Sequence, residues 1–180
     1  MRDYTTQMDA AKRGIITPEM KAVAKELGRE ALRGVSEAEL VEKIPALRPK
    51  LGDRAVLRAL HFIRENERVK RAKQDLIDGR LEDFFKVVNE SGSSSFKYLQ
   101  NVYTTLNVSE QGLSLALSLA EGYLGGEGAS RVHGGGFAGT IQAFVKTELV
   151  EEYRQAIDSA FGKGACHVLR IRPDGAIKVF

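Results

Sequence analysis

Apolar residues recur every three or four positions along most of this chain, and the recurrence predicts a series of helices separated by caps and glycines. The first opens at Thr17-Pro18-Glu19, where a capping hydroxyl, a proline suited to the first turn and a carboxylate at the positive end of the helix dipole stand in order. Met20, Val23, Ala24 and Leu27 share one face before Gly28 ends it. A second helix starts at Ser36, spaced from Glu39 as in a capping box, and runs toward Ile44-Pro45. The longest spans Asp53 to Asp78 and closes at Gly79. Its apolar stripe reads Val56, Ala59, Leu60, Ile63, Val69, Ala72 and Leu76, with Arg58, Arg64, Glu65, Lys70 and Lys73 on the other side. Leu81 to Asn89 follows, with Phe84, Phe85 and Val88 inward, and Glu90-Ser91-Gly92-Ser93-Ser94-Ser95 then interrupts the period. Phe96, Tyr98, Leu99, Val102 and Tyr103 come at once, so the serines read as hydroxyl donors around a helix start and not as a linker. Ser109 stands where it would cap the next helix, whose stripe is Leu113, Leu117, Ala120 and Leu124 and whose stop is Gly125-Gly126.

Beyond that point the period changes. Ala129 to His133 and Thr140 to Val145 are short β-type runs flanking a loop with glycine at 134, 135, 136 and 139. A helix from Glu148 to Phe161 follows, with Leu149, Tyr153, Ile157 and Phe161 inward; then come a strand from Cys166 to Arg172, a turn at Pro173-Asp174-Gly175 and a strand from Ala176 to Phe180. The β-β-α-β-β order predicts an α+β fold with a mainly antiparallel four-stranded sheet packed against helices.

Composition narrows the function classes. With 180 residues, 43% of them hydrophobic, the chain suits one ordinary core. The longest apolar stretch, Leu113 to Ala120, is broken by serines and too short to span a bilayer, and Met1-Arg2-Asp3-Tyr4 lacks a signal peptide's apolar core, which points away from a membrane. The net charge of +3 is spread along the chain. Its densest basic run, Arg68 to Lys73, is followed by Asp75 and Asp78 and reads as a solvated helix face, so no nucleic-acid partner is expected. The single cysteine, Cys166, cannot form an internal disulfide and fits a reducing cytoplasm; its apolar neighbours suggest a buried thiol. Asp75, Asp78 and Asp83 read as helix-end charges, and His133, His167 and Cys166 lack ligand spacing, so no metal site is expected. His61, alone among apolar neighbours, reads as a satisfied, partly buried histidine.

The glycine loop carries the candidate chemistry. Backbone free of side chains can cradle a phosphate in a nest of N–H groups, or can simply let another stretch of backbone approach; the spacing leaves both open, since it matches neither the P-loop nor the dinucleotide fingerprint. Strand alternation puts Arg131 and His133 on one side and Ser130 and Val132 on the other, so a cation and an imidazole would border whatever the loop approaches.

Ser130 to Val145 resembles the third motif of the GHMP sugar and metabolite kinases in the form carried by bacterial galactokinases. The resemblance extends to Gly52 to Phe62 with Glu65 to Val69, to Asn89 to Ser95, to Tyr98 to Tyr103 and to Cys166 to Pro173, and is nearly continuous from about Met20 to Phe180. It implies the ferredoxin-like C-terminal domain of a galactokinase over residues 20–180, with extra N-terminal helices, ATP and Mg2+ as cofactors and galactose as substrate in the full-length family. It also implies that Gly134, Gly135, Gly136, Phe137, Ala138 and Gly139 lie near the nucleotide's phosphates, with Arg131 and His133 bordering the cleft. In that family the sugar-recognition motif, the serine-rich phosphate loop and the catalytic Asp belong to the N-terminal half. None of them is found here, so no residue of this chain is assigned as catalytic, and it is expected to be inactive without such a half as partner. The alternative is a binding module derived from a sugar kinase. Residues 1–19 stand apart as an unrelated leader: up to Met20 the sequence resembles the start of the phosphomethylpyrimidine synthase of thiamine biosynthesis, whose cluster-binding cysteines have no counterpart here.

Overall fold

The fold was taken from a computed structural model, which describes residues 18–104, 106–136 and 139–171; the leader therefore lies outside the described residues, apart from its last two positions. Four helices come first: α1 (Pro18–Glu26), α2 (Glu37–Leu51), α3 (Asp53–Ile77) and α4 (Leu81–Ser94). A π-helical turn, Ser95–Leu99, follows α4 and ends where Gln100 adopts a left-handed conformation at φ 55°. Then come α5 (Gly112–Leu124), the strands β1 (Ala129–Val132) and β2 (Ile141–Phe144), a 3-10 turn at Thr147–Leu149, and α6 (Val150–Phe161). No described helix is long and apolar enough to cross a membrane.

Helices α1 to α3 enclose the main apolar core. Val23, Ala24, Leu40 and Ala59 are fully buried in it, joined by Leu32, Val35, Leu47, Val56 and Ile63. The Ser36 hydroxyl accepts the Glu39 N–H at 3.1 Å, as the capping-box spacing predicts. Helix α2 runs on through Pro45 and Pro49 to Leu51, past its expected end. Both prolines lie on its exposed face, four residues apart, so the carbonyls that lose an N–H partner sit on the solvent side.

The second half of α3 departs from its predicted stripe. Val69 is 60% exposed and Leu76 55%, while Arg68 and Asp75, one heptad apart, are buried instead. Here α3 packs on α4 through ion pairs: Arg71 with Glu90 at 2.9 Å, and Asp75 with Arg80 at the corner between the helices at 2.8 Å. Arg58, also expected on the outer face, is buried against α1, where it pairs with Glu19 at 2.9 Å and donates to the Leu99 carbonyl at 3.2 Å.

Helix α4 likewise extends past its expected end at Asn89, through the serine run to Ser94. The serines therefore lie in its last turns and do not cap a new helix. Of these, the Ser91 and Ser94 hydroxyls are bonded to side chains of α3, which removes their competition with the backbone that normally makes serine a helix breaker. Gly92 lets β1 approach: a Cβ there would stand 3.0 Å from the Ser130 carbonyl oxygen and 3.1 Å from the Arg131 Cβ. Asn89 completes the seam, accepting from the Ser130 N–H at 3.0 Å and donating to the Gly128 carbonyl at 3.2 Å.

The two strands form an antiparallel pair in the register Ala129↔Phe144 to Val132↔Ile141. Phe144 packs against Phe84 and Phe85, with ring centroids 5.6 and 5.7 Å apart. Behind the pair, Leu117 and Val132 join Val102 in one small apolar cluster, and Ala120 of α5 joins Tyr153 and Ile157 of α6 in another. Helix α5 begins at Gly112 and not at Ser109, whose hydroxyl is engaged by Asn107 within the preceding turn at 2.8 Å. Phe161, expected inward, is 38% exposed.

The architecture is thus helix-rich α+β with a two-stranded antiparallel sheet among the described residues, where four strands were expected. Residues 166–171 are not paired into the sheet. The Cys166 N–H is held by the Asp158 carboxylate at 2.9 Å, which ties the segment to the end of α6, and Leu169 and Ile171 are 86% and 87% exposed. The expected last strand, Ala176 to Phe180, lies outside the described residues.

Two glycines test this packing in opposite directions. Gly92→Ala should destabilise the protein by about 1–3 kcal/mol, because the strand must retreat from the helix. Gly122→Ala, in α5 with open space around its Cβ position, should stabilise by about 0.5–1 kcal/mol through helix propensity. Urea unfolding of both variants checks the pair; an unchanged or raised midpoint for Gly92→Ala would refute the close approach.

Candidate functional site

The hairpin turns as its sequence predicts. Beyond the strand pair, the His133 N–H donates to the Thr140 carbonyl at 3.1 Å, and Gly134, Gly136 and Gly139 have φ of 62°, 69° and 83°, which only glycine adopts without strain. The glycines divide in what they face. Gly134 and Gly139 are exposed and Gly135 half-buried, whereas Gly136 is buried against Asn101, whose backbone carbonyl would overlap any Cβ at 136. Among the described residues, the N–H groups of Gly134 and Gly135 have no backbone hydrogen-bond partner. Phe137 and Ala138 lie outside the described residues.

Arg131 and His133 diverge. His133 is exposed beside the turn. Arg131 reaches back to the helices: its Nη1 donates to the Ser91 hydroxyl at 2.6 Å and lies 3.3 Å from a Glu65 oxygen, and its Nε donates to the Val132 carbonyl at 3.2 Å. Glu65 also accepts from Ser91 and, at 2.8 Å, from Arg68, while the second Arg68 arm donates to Ser94 at 2.8 Å. Ser94 lies 2.9 Å from His61 Nδ1. One connected cluster therefore joins α3, α4 and β1 directly behind the glycine loop. Sequence reasoning placed Glu65 on the outer side of this helix and Arg68 in a solvated helix face; the signal it passed over was the pairing of Glu65, Arg68 and Arg131 with two serines on α4.

The electrostatics follow from burial and charge. Burial pushes the Glu65 carboxyl up, but hydrogen bonds from Ser91 and Arg68 and the charges of Arg68 and Arg131 outweigh it and hold the group below the usual carboxylate range. Burial drives His61 down to about 4, reinforced by Arg68 and Arg131 against the attraction of Glu65. The imidazole is therefore neutral at pH 7, and the Ser94 hydroxyl, which accepts from Arg68, is free to donate to it. Tyr153 is pushed up to about 12 by burial, and burial also raises the partly buried Cys166 thiol, which leaves it a poor nucleophile.

Two cavities flank this frame, and neither is lined by a described residue of the glycine loop. One, of about 820 Å3, opens between the α2 N-terminus and α3 and is rimmed by Arg64, Lys70 and Arg71. Each of these cations has a carboxylate partner, in Glu37, Glu67 and Glu90. The other, of about 620 Å3, lies between α4 and α5. Among the described residues, no cluster of three or more His, Cys, Asp or Glu is arranged to hold a metal.

Comparison with known proteins gives this geometry a context. No protein-family model matches the chain. It is 32% identical to the galactokinase of Mannheimia succiniciproducens over 143 residues, covering 79% of this chain and 35% of that enzyme. It is 31% identical to the galactokinase of Enterococcus faecalis over 166 residues, covering 89% of this chain and 40% of that enzyme. The chain is homologous to galactokinases. A crystal structure of Lactococcus lactis galactokinase complexed with galactose superimposes with a TM-score of 0.63 over 78% of this chain and 34% of that one, at 22% identity, which supports the same fold. The chain thus spans between a third and two-fifths of the length of these galactokinases.

Set against what the galactokinase resemblance implies, the fit is partial. The N–H groups of Gly134 and Gly135, which have no backbone partner among the described residues, suit an anion, whereas Gly136 is already filled by Asn101 and Arg131 is engaged by Glu65. A resident Mg2+ has no matching donor set among the described residues, so no step is assigned to one here.

The buried cluster makes stability depend on pH with a defined sign. The unfolded chain protonates His61 near 6.5 and the folded chain only at about 4, so stability is complete above about pH 6.5 and is lost as pH falls toward 4, by up to about 3 kcal/mol. Glu65, held low, adds a loss in the same direction as pH falls through its folded value. Urea midpoints at pH 7, 5.5 and 4 should show this slope, and His61→Phe should flatten it between 6.5 and 4; an equally steep slope in that variant would contradict the assignment to His61.

Proposed function

We propose that this chain is the C-terminal half of a galactokinase-type sugar kinase, contributing to the ATP-dependent phosphorylation of galactose at its anomeric hydroxyl and working together with an N-terminal half. The observation that carries the reading is identity of 31–32% to galactokinases over about four-fifths or more of this chain, while only 35–40% of those enzymes is matched. A loop of glycines between paired strands suits the role, because N–H donors fixed in place stabilise charge on a transferring phosphoryl group without reorganising.

In this reading Gly134 and Gly135 offer their N–H groups to a phosphate of ATP, and the Glu65–Arg131 pair holds the base of the loop at a fixed distance from α3. The sugar-recognition motif, the serine-rich phosphate loop, the Mg2+ ligands and the proton-handling Asp belong to the other half, which makes this chain inactive alone. Exposed apolar side chains at Leu106, Val108, Leu169 and Ile171 favour a chain whose surface is completed by further protein over an independent binding module. The lone cysteine and the balanced charge suit a cytoplasmic setting, with no nucleic acid or membrane as partner.

Galactose-dependent ATP turnover tests the reading. The chain by itself should give none, and adding a separately expressed N-terminal half of a galactokinase should restore it. Gly135→Val should then cut the restored rate by about tenfold or more by crowding the loop. Turnover by this chain alone, or a restored rate unaffected by Gly135→Val, would contradict the proposal.

A further inference from the structure

The cavity between α4 and α5 has a composition that neither the glycine loop nor the ionic cluster explains. Its floor is apolar, formed by Leu117 and Leu124, and is crossed by β1, where Ser130 lies 4% exposed with a hydroxyl that has no hydrogen-bond partner. Such a group costs free energy unless something completes it. Strand alternation explains its direction: Arg131 turns to the α3 side of the hairpin, so Ser130 turns away from it. The walls carry further hydroxyls at exposed positions, Ser93 on α4 and Ser118 on α5. Lys97 and Glu121 stand at the lining with no ion-pair partner among the described residues, and Phe96, 37% exposed, offers an aromatic surface.

This combination selects a ligand class. An ammonium and a carboxylate in one cavity disfavour a net anion and a net cation alike, since either meets one like charge, which leaves molecules of no net charge, a zwitterion or a neutral polyol. Hydroxyls that both donate and accept, placed on opposing walls above an apolar floor with one aromatic surface, match a neutral molecule that carries several hydroxyls on a compact ring. A volume of about 620 Å3 is within the range of small-molecule sites. We propose that the α4–α5 cavity is a second ligand site, separate from the glycine loop, that takes a neutral cyclic polyol of monosaccharide size, with Ser130 as its buried anchor.

The test titrates the full chain, labelled with 15N, using myo-inositol and D-glucose as polyol probes, inorganic phosphate as an anionic one and L-alanine as a zwitterionic one. At least one polyol should give saturable amide shifts at Ser93, Ser118 and Ser130, with a dissociation constant in the millimolar range. Phosphate and alanine should give none at the same concentration. Ser118→Leu, on an exposed helix position, should abolish the shifts by filling the cavity. Ser130→Ala should weaken binding by about fivefold or more, while the thermal midpoint without ligand stays equal or rises because an unsatisfied hydroxyl has gone. No saturable shift up to about 50 mM polyol, shifts that survive Ser118→Leu, or tighter binding of phosphate or alanine would overturn the proposal. No phosphoryl transfer enters the readout, so the outcome is independent of the kinase reading.

Discussion

The Glu65 carboxylate, set between Arg68 of its own helix and Arg131 of the first strand, is the interaction on which the arrangement depends. Without Arg131 it would be a largely buried charge with one ion-pair partner; without Glu65, two guanidinium groups would face each other across the end of α4. Such a cluster contributes less through net Coulomb energy than through the cost of leaving any member unpaired, because the desolvation of each group has already been incurred. It therefore specifies one seating of the strand pair. The turn glycines follow the strands, so the position of the loop is set from behind by a charge on α3.

The close packing agrees with that constraint. Gly92 brings the Ser130 backbone onto α4, Asn89 stitches the same strand with two hydrogen bonds, and Gly136 lets the loop settle on Asn101. Each of these fixes backbone where a side chain would have held it off. Among its described residues the loop therefore has one buried side, at Gly136, and one open side, at Gly134 and Gly139.

Much of this was legible in the sequence, and what was not has a common cause. The Ser36 cap, the Gly125 stop, the apolar face of α1 and the places of the first two strands, each a residue or two shorter than expected, follow from local rules and agree with the structure. The later turns of α3 and the serine run of α4 do not, because their pattern is satisfied between two helices: Arg68 and Asp75 are buried only because Ser94 and Arg80 meet them. An amphipathic template counts Val69 and Leu76 as core and arginine as surface, and here the seam is ionic, so it reverses both. The glycine loop was recognisable from its spacing, but nothing in the spacing distinguished a glycine that frees an N–H from one that admits a carbonyl. Residues 166–171 carry a strand pattern yet pair with no strand among the described residues, and a local pattern alone does not say which neighbour a strand bonds to.

A double-mutant cycle between Glu65 and Arg131 tests the central claim most directly. Glu65→Gln, Arg131→Met and the double variant would be compared with the parent by urea unfolding at pH 7. A coupling free energy of about 1.5 kcal/mol or more, the two single losses together exceeding the loss in the double variant by that amount, is the predicted result. A coupling near zero, with both changes simply adding, would mean that the strand pair is seated by its apolar contacts alone and that the charge on α3 does not set the position of the loop.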